Sequence, residues 1–230
     1  MDHFDDVDVL IMAAGTGSRM KSGVRKQWLT LCGQPLFSYV TRLFQMYGFT
    51  SVAIVMHEDD LVPAGDDLRE AGLGATRLVA GGPDRQSSVR NGLRTCTREM
   101  VLVHDAARPF LCEEDVRAVV ARGRATGAAT LGHAVRDTLV RAERETIAGR
   151  VEREQLYQLQ TPQVFRRDWL ERAHEEARCA GFLATDDTSV VERLGCVVDI
   201  VQGAAHNLKI TEPSDRLFLA MWEALRCGSD

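Results

Sequence analysis

The segment Val7-Asp8-Val9-Leu10-Ile11-Met12-Ala13-Ala14-Gly15-Thr16-Gly17-Ser18-Arg19-Met20 constrains the fold of this chain more than any other. A short apolar run of this kind reads as a buried strand. It breaks at once into small residues and two glycines, which let the backbone turn with successive N–H groups exposed, a concavity suited to anions. Four cations, Arg19, Lys21, Arg25 and Lys26, then fall within eight positions, followed by Gln27. Strand, glycine turn and cation cluster together predict a loop that handles a nucleotide polyphosphate. A tight turn without a ligand would use the same glycines.

Two familiar nucleotide loops do not match. The dinucleotide fingerprint needs a third glycine where Met20 stands, and an acidic residue about 20 positions on, where Pro35 to Ser38 offer none. A nicotinamide-dependent oxidoreductase is therefore disfavoured. The P-loop pattern fails because Gly23 is followed by Val24.

The 230 residues suffice for one domain with a proper core, expected to span 1–230. A net charge of −5 argues against nucleic acid and anionic membranes as partners, and makes the local cations a focused site for a small anion. The six cysteines are scattered without a C-x-x-C pair, so metal-ligand spacing is absent and idle thiols in a reducing compartment are expected. The N-terminus carries Asp2, Asp5, Asp6 and Asp8, unlike a signal peptide, and no apolar run reaches the roughly 18 residues of a membrane span. A soluble, cytoplasmic protein is the expectation.

Strand-like runs at Val7 to Met12, Ser51 to Met56, Thr76 to Ala80, Met100 to Val103, Ala128 to His133 and Cys196 to Val201 alternate with helical stretches. The helices are predicted at Leu36 to Tyr47, Ser87 to Cys96 and Glu113 to Thr126. This alternation predicts an α/β fold with a mostly parallel sheet flanked by helices, its ligands at the carboxyl ends of the strands. Residues 135–160 depart from the pattern. Dense charge and short alternating pieces around Gly149 predict a protruding β-arm, and an exposed arm is covered or paired with another chain, so a homodimer is expected.

Three further segments carry chemistry. Gly81-Gly82-Pro83-Asp84-Arg85-Gln86-Ser87-Ser88 puts Arg85 and Ser88 at a helix start, where free N–H groups accept an anion; Ser87 or Ser88 would equally serve as a cap. Asp105 in Val103-His104-Asp105-Ala106-Ala107-Arg108-Pro109 ends an apolar strand at the ligand edge, where a carboxylate suits magnesium or simply forms a turn. His104 is given no role. Thr185-Asp186-Asp187 precedes a helix that either aspartate would cap, and Lys209, between Leu208 and Ile210, points to the cleft or to solvent.

In their order along nearly the whole chain, these segments resemble the 2-C-methyl-D-erythritol 4-phosphate cytidylyltransferases of the non-mevalonate isoprenoid pathway. The matching pieces also include Lys26-Gln27, Arg136-Asp137-Thr138, Gln160-Thr161-Pro162-Gln163 and Lys209-Ile210-Thr211. The resemblance implies a Rossmann-like nucleotidyltransferase fold, a dimer interlocked through β-arms, and Mg²⁺-dependent attack of a sugar-alcohol phosphate on CTP. It implies that Arg19, Lys26, Arg153 and Lys209 are catalytic. Ala13, Ala14, Gly15, Gly17, Gly82, Arg85, Ser88, Asp105 and Ala106 would bind the nucleotide, with Asp105 on the metal. Arg108, Thr138, Thr161 and Asp186 would serve the acceptor, partly across the dimer. The family usually has Pro where this chain has Arg25, and Tyr or Phe where it has Trp28, which bears on the rigidity of the loop. A ribitol-5-phosphate cytidylyltransferase is the nearest alternative; a nucleotide sensor is disfavoured by the intact charge set.

Overall fold

The computed structural model describes residues 4–15 and 25–226. In chain order the strands are β1 (Val7–Ala13), β2 (Thr30–Leu31), β3 (Gln34–Pro35), β4 (Val52–Met56), β5 (Arg77–Ala80), β6 (Met100–Asp105), β7 (Ala128–Ala134), β8 (Leu139–Glu143), β9 (Thr146–Val151), β10 (Tyr157–Arg166) and β11 (Asp199–Gln202). The helices are α1 (Leu36–Met46), α2 (Leu61–Glu70), α3 (Arg85–Leu93), α4 (Glu113–Thr126), α5 (Arg167–Cys179), α6 (Asp187–Glu192) and α7 (Arg216–Arg226). Seven strands form the main sheet in the order β11-β7-β10-β6-β1-β4-β5. β10 runs antiparallel to both its neighbours, and the other pairings are parallel. The fold is thus the mostly parallel, helix-flanked α/β architecture that the alternation predicts.

β1 is buried along its whole length because the sheet is covered on both faces. Its side chains alternate between two cores, as the two-residue period of a strand requires. Val7, Val9, Ile11 and Ala13 join Phe37, Val40 and Phe44 of α1 and Val116, Val119 and Val120 of α4. Leu10 and Met12 join Val89 of α3 and Leu170 and Ala173 of α5 on the other side. Asp8, one of the acidic N-terminal residues, is also buried; its carboxylate accepts the backbone N–H groups of Thr97 and Arg98 at 2.7 and 2.8 Å.

Residues 135–160 are not all arm. The protruding part is the β8–β9 hairpin, whose turn lies at Arg144 and Glu145, both with positive φ (45° and 68°). Gly149 sits inside β9, opposite Arg141, at a register irregularity. The alternating piece from Leu156 to Gln160 instead leads into β10, which begins at Tyr157 and enters the main sheet between β6 and β7. Its signal was obscured by Gln160, Thr161, Pro162 and Gln163, a polar stretch with a proline in the middle of a buried strand. The register shifts between Leu159 and Gln163, so Pro162 falls in the irregular stretch and removes no ladder bond. Cys96, Cys179 and Cys196 are free thiols, but Cys32 is disulfide-bonded, contrary to the expectation of idle thiols throughout. Disulfides depend on distance in space, which scattered spacing does not reveal.

Candidate active site

Parallel strands end on one edge of the sheet, and that edge holds a cleft of about 460 Å³. Its walls come from the ends of β1 (Met12, Ala13, Ala14, Gly15), β4 (His57) and β6 (Asp105, Ala106, Ala107), from the turn after β5 (Gly82, Pro83, Asp84) and from the start of α3 (Arg85, Ser88). Lys26 and Gln27 enter from a short 3₁₀ turn, and Lys209 from an irregular segment before α7.

The glycines are dictated by close approach. A Cβ on Gly81 would lie 2.6 Å from Cβ of Ala14 and 3.0 Å from Oγ of Ser88; one on Gly82 would lie 2.5 Å from Cβ of Ser87. Without side chains, the turn after β5 closes against the turn after β1, and the Gly81 N–H reaches the Met56 carbonyl at 2.7 Å. Asp84, not a serine, caps α3, accepting the Ser87 N–H at 2.7 Å and the Ser87 hydroxyl at 2.9 Å. Ser88 accepts the Gly82 N–H at 3.0 Å and donates to the Asp84 carbonyl at 2.8 Å, which stiffens the glycine turn.

Asp105 is the electrostatic centre. Lys209 Nζ donates to its Oδ2 at 2.5 Å, and Arg85 lies 3.7 Å from its Oδ1. Burial disfavours the charge on Asp105, but Arg85 and Lys209 outweigh it and hold the carboxyl well below the usual carboxylate range. Arg85 is fixed from behind by buried Asp187 at 2.7 Å, and Asp187 in turn meets His174 at 3.1 Å. Asp187 too is kept ionised against burial by Arg85 and His174.

A polar network beneath the cleft positions these groups. Thr161 Oγ accepts the Asp105 N–H at 3.0 Å and meets His104 Nδ1 at 3.0 Å. His104 Nε2 faces the Arg108 carbonyl at 3.0 Å, so that nitrogen carries the proton and Nδ1 accepts from Thr161. Burial pushes the His104 pKa down to about 4, leaving the ring neutral. Asn207, also buried, donates from Nδ2 to the Thr161 carbonyl at 2.9 Å and accepts from Arg108 at 2.8 Å on its own carbonyl. The Ile210 N–H bonds the Ala107 carbonyl at 2.8 Å, so the stretch carrying Lys209 is stitched to the loop carrying Asp105.

A model of the family named 2-C-methyl-D-erythritol 4-phosphate cytidylyltransferase (IspD) matches residues 7–224. The chain belongs to that family. It is 42% identical over 223 residues to the Salinibacter ruber 2-C-methyl-D-erythritol 4-phosphate cytidylyltransferase, covering 95% of this chain and 93% of that one. Against the Halalkalibacterium halodurans protein of the same name it is 38% identical over 216 residues, covering 93% and 95%. The crystal structure of the Thermus thermophilus 2-C-methyl-D-erythritol 4-phosphate cytidylyltransferase superposes with a TM-score of 0.81 at 34% identity, covering 96% of this chain and 98% of that one. As a member of the cytidylyltransferase family, the chain is a CTP-dependent nucleotidyltransferase.

Of the residues expected from the sequence, Ala13, Ala14, Gly15, Lys26, Gly82, Arg85, Ser88, Asp105, Ala106 and Lys209 line the cleft together. Gly17 and Arg19 lie outside the described residues. Thr161 lies beneath the cleft in the network under Asp105, and Arg108 is tied to the Asn207 and Leu159 carbonyls. Asp186 does not line the cleft; it caps α6, accepting the Ser189 N–H at 3.2 Å and the Thr188 hydroxyl at 2.5 Å. Thr138 and Arg153 are exposed at the two feet of the β8–β9 hairpin, where Arg153 donates to the Arg136 carbonyl. Sequence reasoning passed over His57, Asp84, His104, His174 and Asn207. Only Asp84 left a local signal, as an aspartate three residues before Ser87 at a helix start.

Among the described residues no group of three His, Cys, Asp or Glu side chains is placed to hold a metal. The single ionised carboxylate of Asp105 nevertheless fits Mg²⁺, which commonly keeps its waters and binds through one or two carboxylates plus substrate phosphates. Among the described residues, no helix is long and apolar enough to cross a membrane.

Proposed function

We propose that this chain transfers the cytidylyl group of CTP to 2-C-methyl-D-erythritol 4-phosphate, releasing pyrophosphate and 4-diphosphocytidyl-2-C-methyl-D-erythritol for isoprenoid synthesis. The observation that carries the reading is the facing pair Asp105 and Lys209, joined by Arg85 and Lys26 on a cleft floored by the Ala13–Gly15 turn. A phosphate monoester has a second pKa near 6, so the attacking group is a dianion at neutral pH and needs no general base. His104, neutral and sealed beneath the cleft, is not required to act as one. What the reaction requires is charge neutralisation and alignment, since a dianion must approach a triphosphate and charge must pass to the leaving pyrophosphate.

In this reading Ala13, Ala14, Gly15, Gly82 and Ser88 hold the nucleotide, and Lys26, Arg19 and Lys209 stabilise the charge that develops. Asp105 takes the ribose and would hold Mg²⁺, which supplies Lewis-acid neutralisation of the phosphates when bound. Arg85, locked on Asp187, keeps Asp105 ionised for that purpose. Thr138 and Arg153, with Arg108, take the acceptor phosphate. Because the first two stand on an exposed hairpin, they are read as serving a partner's cleft in a homodimer. Val140, Ile147 and Tyr157, exposed apolar side chains on and beside the hairpin, support that pairing. The single unit of 230 residues would work in the cytoplasm.

Pyrophosphate release from CTP and Mg²⁺, with methylerythritol phosphate and ribitol 5-phosphate assayed side by side, tests the reading. Turnover with the first alone is expected. Preference for ribitol 5-phosphate would move the enzyme to a different acceptor, and silence with both would overturn the proposal.

A further inference from the structure

Asp60 belongs to no motif in the sequence, yet its carboxylate gathers the turn that delivers Lys26. It is buried at 7% exposure, at the start of α2. An aspartate at that position ordinarily caps its own helix, but here the side chain makes no capping bond. It reaches across to residues 25–28 instead. Oδ2 accepts from Gln27 Nε2 at 3.0 Å and pairs with Arg25 at 2.8 Å, while Oδ1 accepts from Trp28 Nε1 at 3.0 Å. Asp59 adds a second contact to Arg25 at 3.0 Å. Burial opposes the charge of Asp60, but the bonds from Arg25, Trp28 and Gln27 hold its carboxyl below the ordinary range.

Arg25, Gln27 and Trp28 flank Lys26 in one 3₁₀ turn, and Lys26 lines the cleft. The turn has no side-chain cap of its own, and its backbone is closed by two bonds of 3.0 Å, Trp28 N–H to the Arg25 carbonyl and Leu29 N–H to the Lys26 carbonyl. So short a turn has little intrinsic rigidity. Its orientation is therefore set by Asp60, and by the Trp28 ring, which packs edge-on against Phe37 at 5.1 Å.

We propose that Asp60 is a positioning residue for cytidylyl transfer: by clamping Arg25, Gln27 and Trp28 it fixes the point from which Lys26 enters the cleft. The inference rests on the reading of Lys26 as a group that stabilises developing charge. A displacement of about 1 Å in such a group is enough to cost up to about a hundredfold in rate.

The test is a double-mutant cycle on steady-state pyrophosphate release, with Lys26→Ala, Asp60→Asn and the double variant, each checked by thermal unfolding. Asp60→Asn removes the charge facing Arg25 and turns an amide N–H₂ toward one of the other donors. It is expected to lower kcat on the order of tenfold, to leave the KM for the sugar phosphate unchanged, and to cost nothing further once Lys26 is absent. Trp28→Phe, which keeps the ring and deletes one donor, is expected to give a smaller loss that Lys26→Ala also absorbs. It stands in should Asp60→Asn fail to fold. Unchanged kcat in both variants, or losses that add in full to that of Lys26→Ala, would overturn the clamp while leaving the role of Lys26 standing. Full turnover in Lys26→Ala would instead overturn the reading beneath it.

Discussion

Replacing Thr161 by Val tests whether the network beneath Asp105 is a structural necessity. The two side chains have nearly the same shape, so the change removes a hydroxyl and leaves packing almost intact. That hydroxyl serves two buried partners, the Asp105 N–H and His104 Nδ1, each at 3.0 Å. Each partner left unsatisfied costs about 1–3 kcal/mol, and the new methyl returns roughly 0.8 kcal/mol by burial. A net loss of about 3 kcal/mol follows, which in a chain of this size lowers Tm by roughly 6–12 °C. Thr161→Ser keeps the hydroxyl and deletes only a methyl, so it should cost about 1 kcal/mol and roughly 2–4 °C. Thermal unfolding followed by far-ultraviolet circular dichroism on the three proteins measures this directly. If the valine variant melts within about 2 °C of the parent, or the serine variant falls as far as the valine one, the reasoning is refuted.

Burial holds His104 at a pKa of about 4 in the folded chain against 6.5 as its ordinary value, so the unfolded chain takes up the proton first. Its contribution to stability is present above pH 6.5 and lost as pH falls toward 4, about 2 kcal/mol of it by pH 5; urea unfolding at pH 7.5 and pH 5 should show a flatter dependence in His104→Gln, and equal slopes would remove this histidine from the acid sensitivity. Gly81→Ala places a methyl 2.6 Å from Ala14 and should push the first glycine turn into the cleft. The KM for CTP should rise on the order of tenfold, and an unchanged value would mean that the turn yields freely. On the hairpin, Ile147 is 66% exposed, and Ile147→Asp should shift a dimer toward monomer in light scattering after size exclusion. A dimer of undiminished strength would place the interface elsewhere.

Much of the strand and helix order was legible because hydrophobic period and glycine punctuation are local properties, although α2 and α5 were not named. β1, β4, β6, α1 and α4 fall within a few residues of where the pattern puts them. The cleft followed from the same logic, since parallel strands deliver their end residues, Ala13 and Asp105 among them, to one edge. β10 was harder, because its polar centre is tolerated only by partners that neighbouring strands and the Asn207 segment bring to it. The hairpin was placed too broadly for a related reason. Alternation marks a strand but not the sheet it joins, so Tyr157 and Leu159 resembled arm residues while pairing with β7.

By itself, then, the sequence determined the α/β class, the glycine turn between β5 and α3, and the presence of an acid and several cations near strand ends. Tertiary structure decided which charges meet: Lys209 and Arg85 on Asp105, Asp187 behind Arg85, and Asp60 on the turn that carries Lys26. Each partnership joins elements distant in sequence. A buried carboxylate keeps its charge only where donors converge on it in space, and neither period nor spacing along the chain records that convergence.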